Sequence, residues 1–358
     1  MSNVVPKETI YKILEAGVQA PSGSNSQPWK FRVSGGKISV WMLPERDHRI
    51  LNFKNRGTLV ASGALIENIV IAASHFGLTS SINLLPDENK VNLVARISLR
   101  GGNTNPDPLF GSIWKRATNR KPYELKKLTK EQKRKLLAVA GAIKVNNVYL
   151  AFVDGADDIK ALGRAASANE VVMFENKELH SLLFQEIVWT ENEEKEKKSG
   201  LYLKTMELKP PQQISLKFVM RHWPVMKVLN AIGVAKGIAK GNEAGYSAAS
   251  LYGGVLCGEN DVDFINAGRV VERVWLAATS MGLSFHLITG VNFLWQRISA
   301  GDNSIFSGKH KELIDKSYKN IASIFGAGSK LVAANFRVGY GGEPSARSSR
   351  RAPEIIFS

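Results

Sequence analysis

The chain contains one cysteine, Cys257, among 358 residues. A lone thiol excludes an intrachain disulfide framework and a zinc site built on paired thiolates, and it fits a reducing compartment. Histidine is also scarce. His48, His75, His180, His222, His286 and His310 show no His-x-x-x-His spacing and no cysteine neighbour, so a metal centre has no support in the sequence. No uninterrupted apolar run reaches the roughly 18 residues of a membrane-spanning helix, and Met1–Glu8 lacks an apolar leader core. The expectation is a cytoplasmic protein with no membrane partner. A Gly-x-Ser-x-Gly elbow, a Walker loop and a strand-preceded Gly-x-Gly-x-x-Gly are missing too, which removes the usual hydrolase, P-loop and Rossmann readings. Acidic residues are outnumbered, 32 against 48 Lys and Arg, for a formal charge of +16 and a pI of about 9.8. That surplus attracts anions in general. Its densest runs, Lys126–Lys135 and Lys195–Lys198, read as solvated helix faces, the second being interleaved with Glu191, Glu193, Glu194 and Glu196. Nothing resembles a groove-reading or base-stacking motif, so no nucleic-acid partner is expected.

What the chain does contain is most distinctive between Ala20 and Phe31. The run Ala-Pro-Ser-Gly-Ser-Asn-Ser-Gln-Pro-Trp-Lys-Phe begins where the helical spacing of Ile10, Ile13, Leu14 and Val18 stops. Pro21 and Pro28 forbid an interior helix, and Ser22, Gly23, Ser24, Asn25 and Gln27 offer amides and hydroxyls with little bulk above them. Such a loop suits a phosphorylated or polyhydroxylated ligand.

The chain also repeats itself. Gly63–Leu78 aligns with Gly268–Leu283 at an offset of 205, matching Gly63 with Gly268, Glu67 with Glu272, Ala72-Ala73 with Ala277-Ala278 and Gly77-Leu78 with Gly282-Leu283. Both segments read as long buried helices closed by glycine. A weaker match joins Glu8, Lys12 and Leu14 to Glu131, Lys135 and Leu137 at an offset of 123. Apolar, β-branched runs at Lys37–Leu43 and Val91–Leu99, then at Asn147–Val153 and Val332–Val338, predict strands in the same order in each half. The expected fold is α+β, with helices on mixed or antiparallel sheets, a first half over 1–108 and a second over 109–358. The growth in offset places a helical insertion at about 155–261, between the second half's first strand and its central helix. Within it, Gly233, Gly237, Gly241 and Gly245 predict a small-residue stripe at a buried helix contact.

The loop at 20–31 resembles the flavin-contacting loop of the nitroreductase family, with its Pro-Ser-Ser, Asn and Gln-Pro-Trp. Further matches are Arg116-Ala117-Thr118-Asn119-Arg120 with Tyr123, Leu287-Ile288-Thr289-Gly290, and Phe336–Tyr340 followed by Arg350-Arg351. The resemblance is to a fused, double-length branch, whose two halves form an internal pseudo-dimer, either monomeric or weakly dimeric. It implies one FMN, with NAD(P)H as donor and a small acceptor such as a nitroaromatic or quinone. It also implies that Arg116 and Thr118 take the phosphate and ribityl side, Arg120 the N1/C2 edge of the ring, and Arg350 or Arg351 the rest of the phosphate. Ser22, Gly23, Ser24, Asn25 and Gln27 would reach the same flavin, and Leu287, Thr289 and Gly290 would lie along its ring. No side-chain nucleophile is required. Gly23 departs from the family's second serine, and Thr289 stands where many relatives carry Glu. The alternative implied reading is a flavin storage protein with little turnover. Each half would need its own loop and arginine signature to bind a flavin, and only one of each occurs, so one site per chain is expected.

Overall fold

The computed structural model describes residues 5–102 and 104–358. The first half runs α1 (Lys7–Gly17), β1 (Trp29–Ser34), β2 (Lys37–Met42), α2 (Arg56–His75), β3 (Leu78–Leu84) and β4 (Leu93–Gly101). The second half opens with α3 (Lys130–Gly141) and β5 (Val148–Val153). A long excursion follows: α4 (Ala156–Glu175), α5 (Lys177–Glu186), β6 (Ile187–Val188), α6 (Glu191–Lys197), β7 (Leu201–Tyr202), α7 (Pro210–Ser215), α8 (Trp223–Ala231) and α9 (Val234–Ser247). The chain then completes β8 (Leu251–Cys257), α10 (Asp261–Ser280), β9 (Ser284–Ile288), α11 (Gly290–Ser299), α12 (Gly308–Ile324), β10 (Leu331–Gly339) and β11 (Ile355–Phe357).

The two main sheets share one topology. One has the order β11-β1-β2-β4-β3 and the other β5-β8-β10-β9. Apart from β11, neighbours in both are antiparallel. The helix-strand-strand-helix-strand-strand order therefore occurs twice, with β5 in the place of β1 and β8 in the place of β2. Two sequence expectations need correction here. Asn147–Val153 is the counterpart of Trp29–Ser34, not of Lys37–Leu43, and the excursion ends before Leu251 instead of at 261, because β8 is a sheet strand. Its helices are joined by a short parallel pair, β6 with β7.

At the centre, α2 and α10 meet backbone to backbone. A Cβ on Gly63 would overlap the carbonyl oxygen of Ile265, and one on Gly268 would overlap that of Val60. Val60 and Ile265 are themselves related by the offset of 205, so the contact is reciprocal about a pseudo-twofold axis. Around it one apolar core draws on both halves, from Ile13 and Leu14 to Trp275 and Phe336. The stretch Phe53–His75 is long and apolar enough to cross a membrane, yet 83% of its most apolar window is buried in this core. The helix reads as apolar all round because the protein surrounds it.

The C-terminal segment ties the halves together. After β10 the chain crosses to the first sheet, where β11 pairs in parallel with β1, Phe31 against Ile355. The expected glycine stripe behaves differently: Cβ atoms on Gly237, Gly241 and Gly245 would meet nothing within 4 Å. The stripe faces open space, since α9 buries Ala235 and Ala239 instead.

These two glycine sets give opposite predictions for one substitution. Gly63→Ala or Gly268→Ala should each cost about 2 kcal/mol or more, the overpacking penalty exceeding the roughly 1 kcal/mol gained in helix propensity. Gly237→Ala and Gly241→Ala should stabilise by about 0.5–1 kcal/mol. The double Gly63→Ala/Gly268→Ala variant should lose clearly less than the sum, since one separation of the helices accommodates both methyls. Urea unfolding of the four single variants and the double variant measures all three effects.

Candidate functional site

Beside the α2–α10 crossing lies a cavity of about 440 Å³. Its floor is Val60, Ala61 and Ala64 of α2 with Val271 and Trp275 of α10. Small residues on α2 leave the space; the Trp275 indole supplies a flat apolar wall.

One rim is the loop after α1. Ser24, Asn25 and Gln27 all have positive φ, at 43°, 56° and 50°. Each such non-glycine residue costs on the order of 1–3 kcal/mol unless its surroundings hold it. Here they do. The Ser22 hydroxyl accepts from the Gln27 amide at 2.9 Å, Asn25 Nδ2 donates to Ser349 O at 3.0 Å, and Gln27 Nε2 donates to Lys198 O at 2.6 Å. Gln27 Oε1 in turn accepts from the Arg351 amide at 2.8 Å. The loop is clamped between the excursion and the C-terminal segment, which explains why all three segments are needed to shape the rim.

The second rim is cationic. Residues 116–120 run beside β9 in extended form: Thr118 bridges Phe285, and the Asn119 amide donates to Phe285 O at 2.9 Å. Alternation in an extended segment sends neighbouring side chains to opposite sides. Arg116, Thr118 and Arg120 accordingly line the cavity, while Asn119 turns back to Ser284 Oγ and Gly342 O. Arg116 is 6% exposed, lies 4.4 Å over the Trp275 ring, and donates to Gln19 O. Among the described residues its one carboxylate partner is Glu272, at 3.4 Å. Arg350 arrives from the C-terminal segment and donates to Asn25 Oδ1 at 2.8 Å. Arg350 Nε is enclosed without a hydrogen-bond partner, and Arg116 Nε is the atom that faces Glu272. Burial, and then the nearby Arg116 charge, push Arg350 down to about 9. Two guanidiniums buried near one another give this end of the cavity a cationic character. Burial pushes Glu272 up to about 7 against the opposing pull of Arg116, and this one carboxyl stands against both guanidiniums.

The pseudo-symmetric position is closed. Glu67, counterpart of Glu272, receives Arg269 at 3.0 Å and Arg273 at 2.8 Å, and Arg273 also contacts Asp107. Its cations and anions satisfy one another and leave none free for a ligand.

The far wall comes from the end of β9, the start of α11 and the excursion. Leu287, Thr289 and Gly290 line it, and a Cβ on Gly290 would displace the Asn169 side-chain amide of α4. Arg120 donates to Thr205 O at 2.9 Å. His286 is buried beside it, with the Arg337 Nε at 3.3 Å from its Nδ1. Burial and the charges of Arg337 and Arg120 hold His286 neutral, well below the usual imidazole range. Of the residues singled out from the sequence, Ser22, Gly23, Ser24, Asn25, Arg116, Thr118, Arg120, Leu287, Thr289, Gly290 and Arg350 meet around this one cavity. Gln27 and Arg351 stand behind it, the latter donating to Ser199 Oγ at 2.9 Å.

A model of the Nitroreductase family matches residues 1–39, which hold α1, the strained loop and β1. An uncharacterized protein of Mycobacterium tuberculosis is 22% identical over 300 residues, 82% of this chain and 40% of its own length. A second protein of that organism, provisionally named an NAD(P)H nitroreductase, is 28% identical over 120 residues, 32% of this chain and 34% of its own. This chain thus spans well under half the length of both curated relatives. Over residues 1–39 the chain is similar to the nitroreductase family. Among solved structures, the nitroreductase of Bacteroides fragilis with bound FMN is 12% identical, covers 68% of this chain and 94% of its own, and has a TM-score of 0.38.

The excursion adds groups that the sequence reading missed. Glu170 of α4 accepts from Tyr246 Oη at 2.7 Å, and Glu186 at the end of α5 accepts from Ser24 Oγ at 2.5 Å. Asp47, which accepts from Thr58, completes three carboxyls on the cavity wall. Burial pushes Glu170 and Glu186 up to about 7 and raises Asp47 as well. Glu170 had a signal: it is a lone carboxyl in the small, apolar run Ala165–Phe174, apart from polar Ser167 and Asn169.

Because the folded pKa of Glu186 exceeds its ordinary value near 4.5, the folded protein binds more protons than the unfolded chain between about 4.5 and 7. Stability therefore falls as pH rises through that window and is level above it. Glu186→Gln keeps an acceptor for Ser24 and removes the titration. Without added ligand it should melt close to wild type at pH 5 and a few degrees above it at pH 8. Calorimetry at the two pH values decides; an equal difference at both contradicts the buried-carboxyl assignment.

Proposed function

We propose that the chain is an FMN-dependent oxidoreductase that carries out two-electron reduction of a small acceptor, a nitroaromatic or a quinone, with NAD(P)H as donor. The observation that carries this reading is the pair of buried guanidiniums, Arg116 and Arg350, that line one cavity with Trp275 and share the single carboxylate of Glu272, while Arg350 Nε has no hydrogen-bond partner. A phosphate monoester on a planar ring system has the charge and shape for that space, and about 440 Å³ lies in the range of cofactor pockets.

FMN, when bound, supplies the two-electron redox chemistry. Arg116 and Arg350 would hold its phosphate, and Ser22, Ser24 and Asn25 offer hydroxyls and an amide on the same rim for a polyol. Arg120 places a fixed cation at the opposite end, where it favours added negative charge on a ligand ring. Glu186 and Glu170, raised to about 7, hold protons at their carboxyl oxygens near neutral pH and are suited to donate one to a reduced acceptor. The duplicated topology with one cationic cavity fits a fused pseudo-dimer with one flavin, built from a 1–108 half and a 109–358 half.

The excursion walls one side of the cavity with Glu170, Glu186 and Thr205, which favours flavin storage as the second reading. Adding NADPH without air separates the two: bleaching of the bound flavin supports the enzyme, and a spectrum that stays oxidised supports storage.

Arg350→Ala should weaken FMN binding by about 1.5–3 kcal/mol, the range for a hydrogen bond to a charged group, and leave riboflavin affinity within a factor of about two. Fluorescence titration of the flavin-free protein with both ligands tests this. An equal loss for FMN and riboflavin removes Arg350 from the phosphate position.

A further inference from the structure

The outer face of the excursion presents apolar side chains to solvent, and none of them belongs to the cavity's lining. Leu216, Met220 and Met226 turn inward to a small separate core. On the opposite side Ile214, Phe218, Val219, Val225, Val228 and Ile232 are 41–79% exposed. Their spacing follows the helices: 214 and 218 are one turn apart, and 225, 228 and 232 fall on one edge of α8 and its C-cap. Isolated exposed apolar residues need no explanation; six on one helical hairpin do.

The charge of this hairpin is one-sided. From Leu208 to Asn242 the chain carries Lys209, Lys217, Arg221, Lys227, Lys236 and Lys240 and no acidic residue. Among the described residues only Lys240 of these six has an acidic partner, Glu243. Lys217 reaches over the exposed Phe218 ring, with Nζ 5.5 Å from its centroid. A second cleft, of about 310 Å³, opens at the same end between Phe184, Trp189 and Trp223, with Lys177 and Arg221 at its mouth. Apolar side chains ringed by unpaired cations, with indoles beside them, match the boundary between lipid headgroups and acyl chains.

We infer that the hairpin Pro210–Ile232 seats the protein on the surface of an anionic phospholipid bilayer. Phe218, Val228 and Ile232 enter the headgroup boundary, and Lys217, Arg221 and Lys227 lie over the phosphates. The helices stay parallel to the surface; at six and nine residues, α7 and α8 are too short to span it. This inference does not depend on the flavin reading, since none of these side chains lines the cavity.

The test is sedimentation of the full chain with phosphatidylcholine vesicles, with and without phosphatidylglycerol. The expected result is binding to the anionic vesicles that weakens as salt rises. The triple variant Phe218→Ser/Val228→Ser/Ile232→Ser, whose charge is unchanged, should bind at least roughly tenfold more weakly with an unaltered melting temperature. Absence of binding to anionic vesicles at low salt overturns the proposal. So does binding that the triple variant retains in full, because it would rest on the overall +16 charge alone. A concentration-dependent dimer of wild type that the triple variant abolishes would assign the face to a second copy and overturn it as well.

Discussion

Everything in this molecule hangs on the contact of two glycines. Gly63 and Gly268 let α2 and α10 approach until backbone touches backbone, and the pseudo-twofold axis passes through that point. The close crossing sets the position of Val60, Ala61 and Ala64 against Val271 and Trp275, which together form the cavity floor. It also sets where the two related carboxylates fall. Had either glycine carried a side chain, the helices would separate and the floor with them.

From that symmetric centre the two sides diverge by charge. Around Glu67 the arginines of α10 close an ion-paired network with Asp107. Around Glu272, the related position on α2 is Asn68 instead of an arginine, and cations arrive from elsewhere: Arg116 beside β9 and Arg350 on the C-terminal segment. One duplicated frame thus yields one neutralised position and one with surplus positive charge. The loop at Ser24–Gln27 holds three positive-φ residues, whereas its counterpart between α3 and β5, the turn at 142–147, holds one, Asn147.

The repeat was legible because long buried helices write their packing into sequence: a glycine where backbones touch, alanines where a neighbour lies close, a glycine at the end. The Pro-Ser loop and the Arg-x-Thr-x-Arg spacing were legible because small hydroxyls and alternating cations are costly to hold without a purpose. β8 was not. Its Gly253-Gly254 reads as a break in a strand, yet both residues are there because the Phe336 and Phe325 rings lie where side chains would be. Losing β8 shifted the match of Asn147–Val153 onto the wrong strand and stretched the excursion to 261. The glycine stripe of α9 misled for the opposite reason, since a period of four says that one face is smooth and does not say what lies against it. Glu170 and Glu186 reach the cavity only through the path of the excursion, which no local pattern encodes.

The central claim is that one of two related positions has been kept as an anion site and the other filled by its own ion pairs. Its most direct measurement is flavin released on denaturation from protein saturated with FMN, divided by polypeptide concentration. The account predicts a ratio of one. A reproducible ratio of two would mean that the Glu67 network opens to a second flavin, and a ratio of zero would mean that the paired arginines serve some other anion.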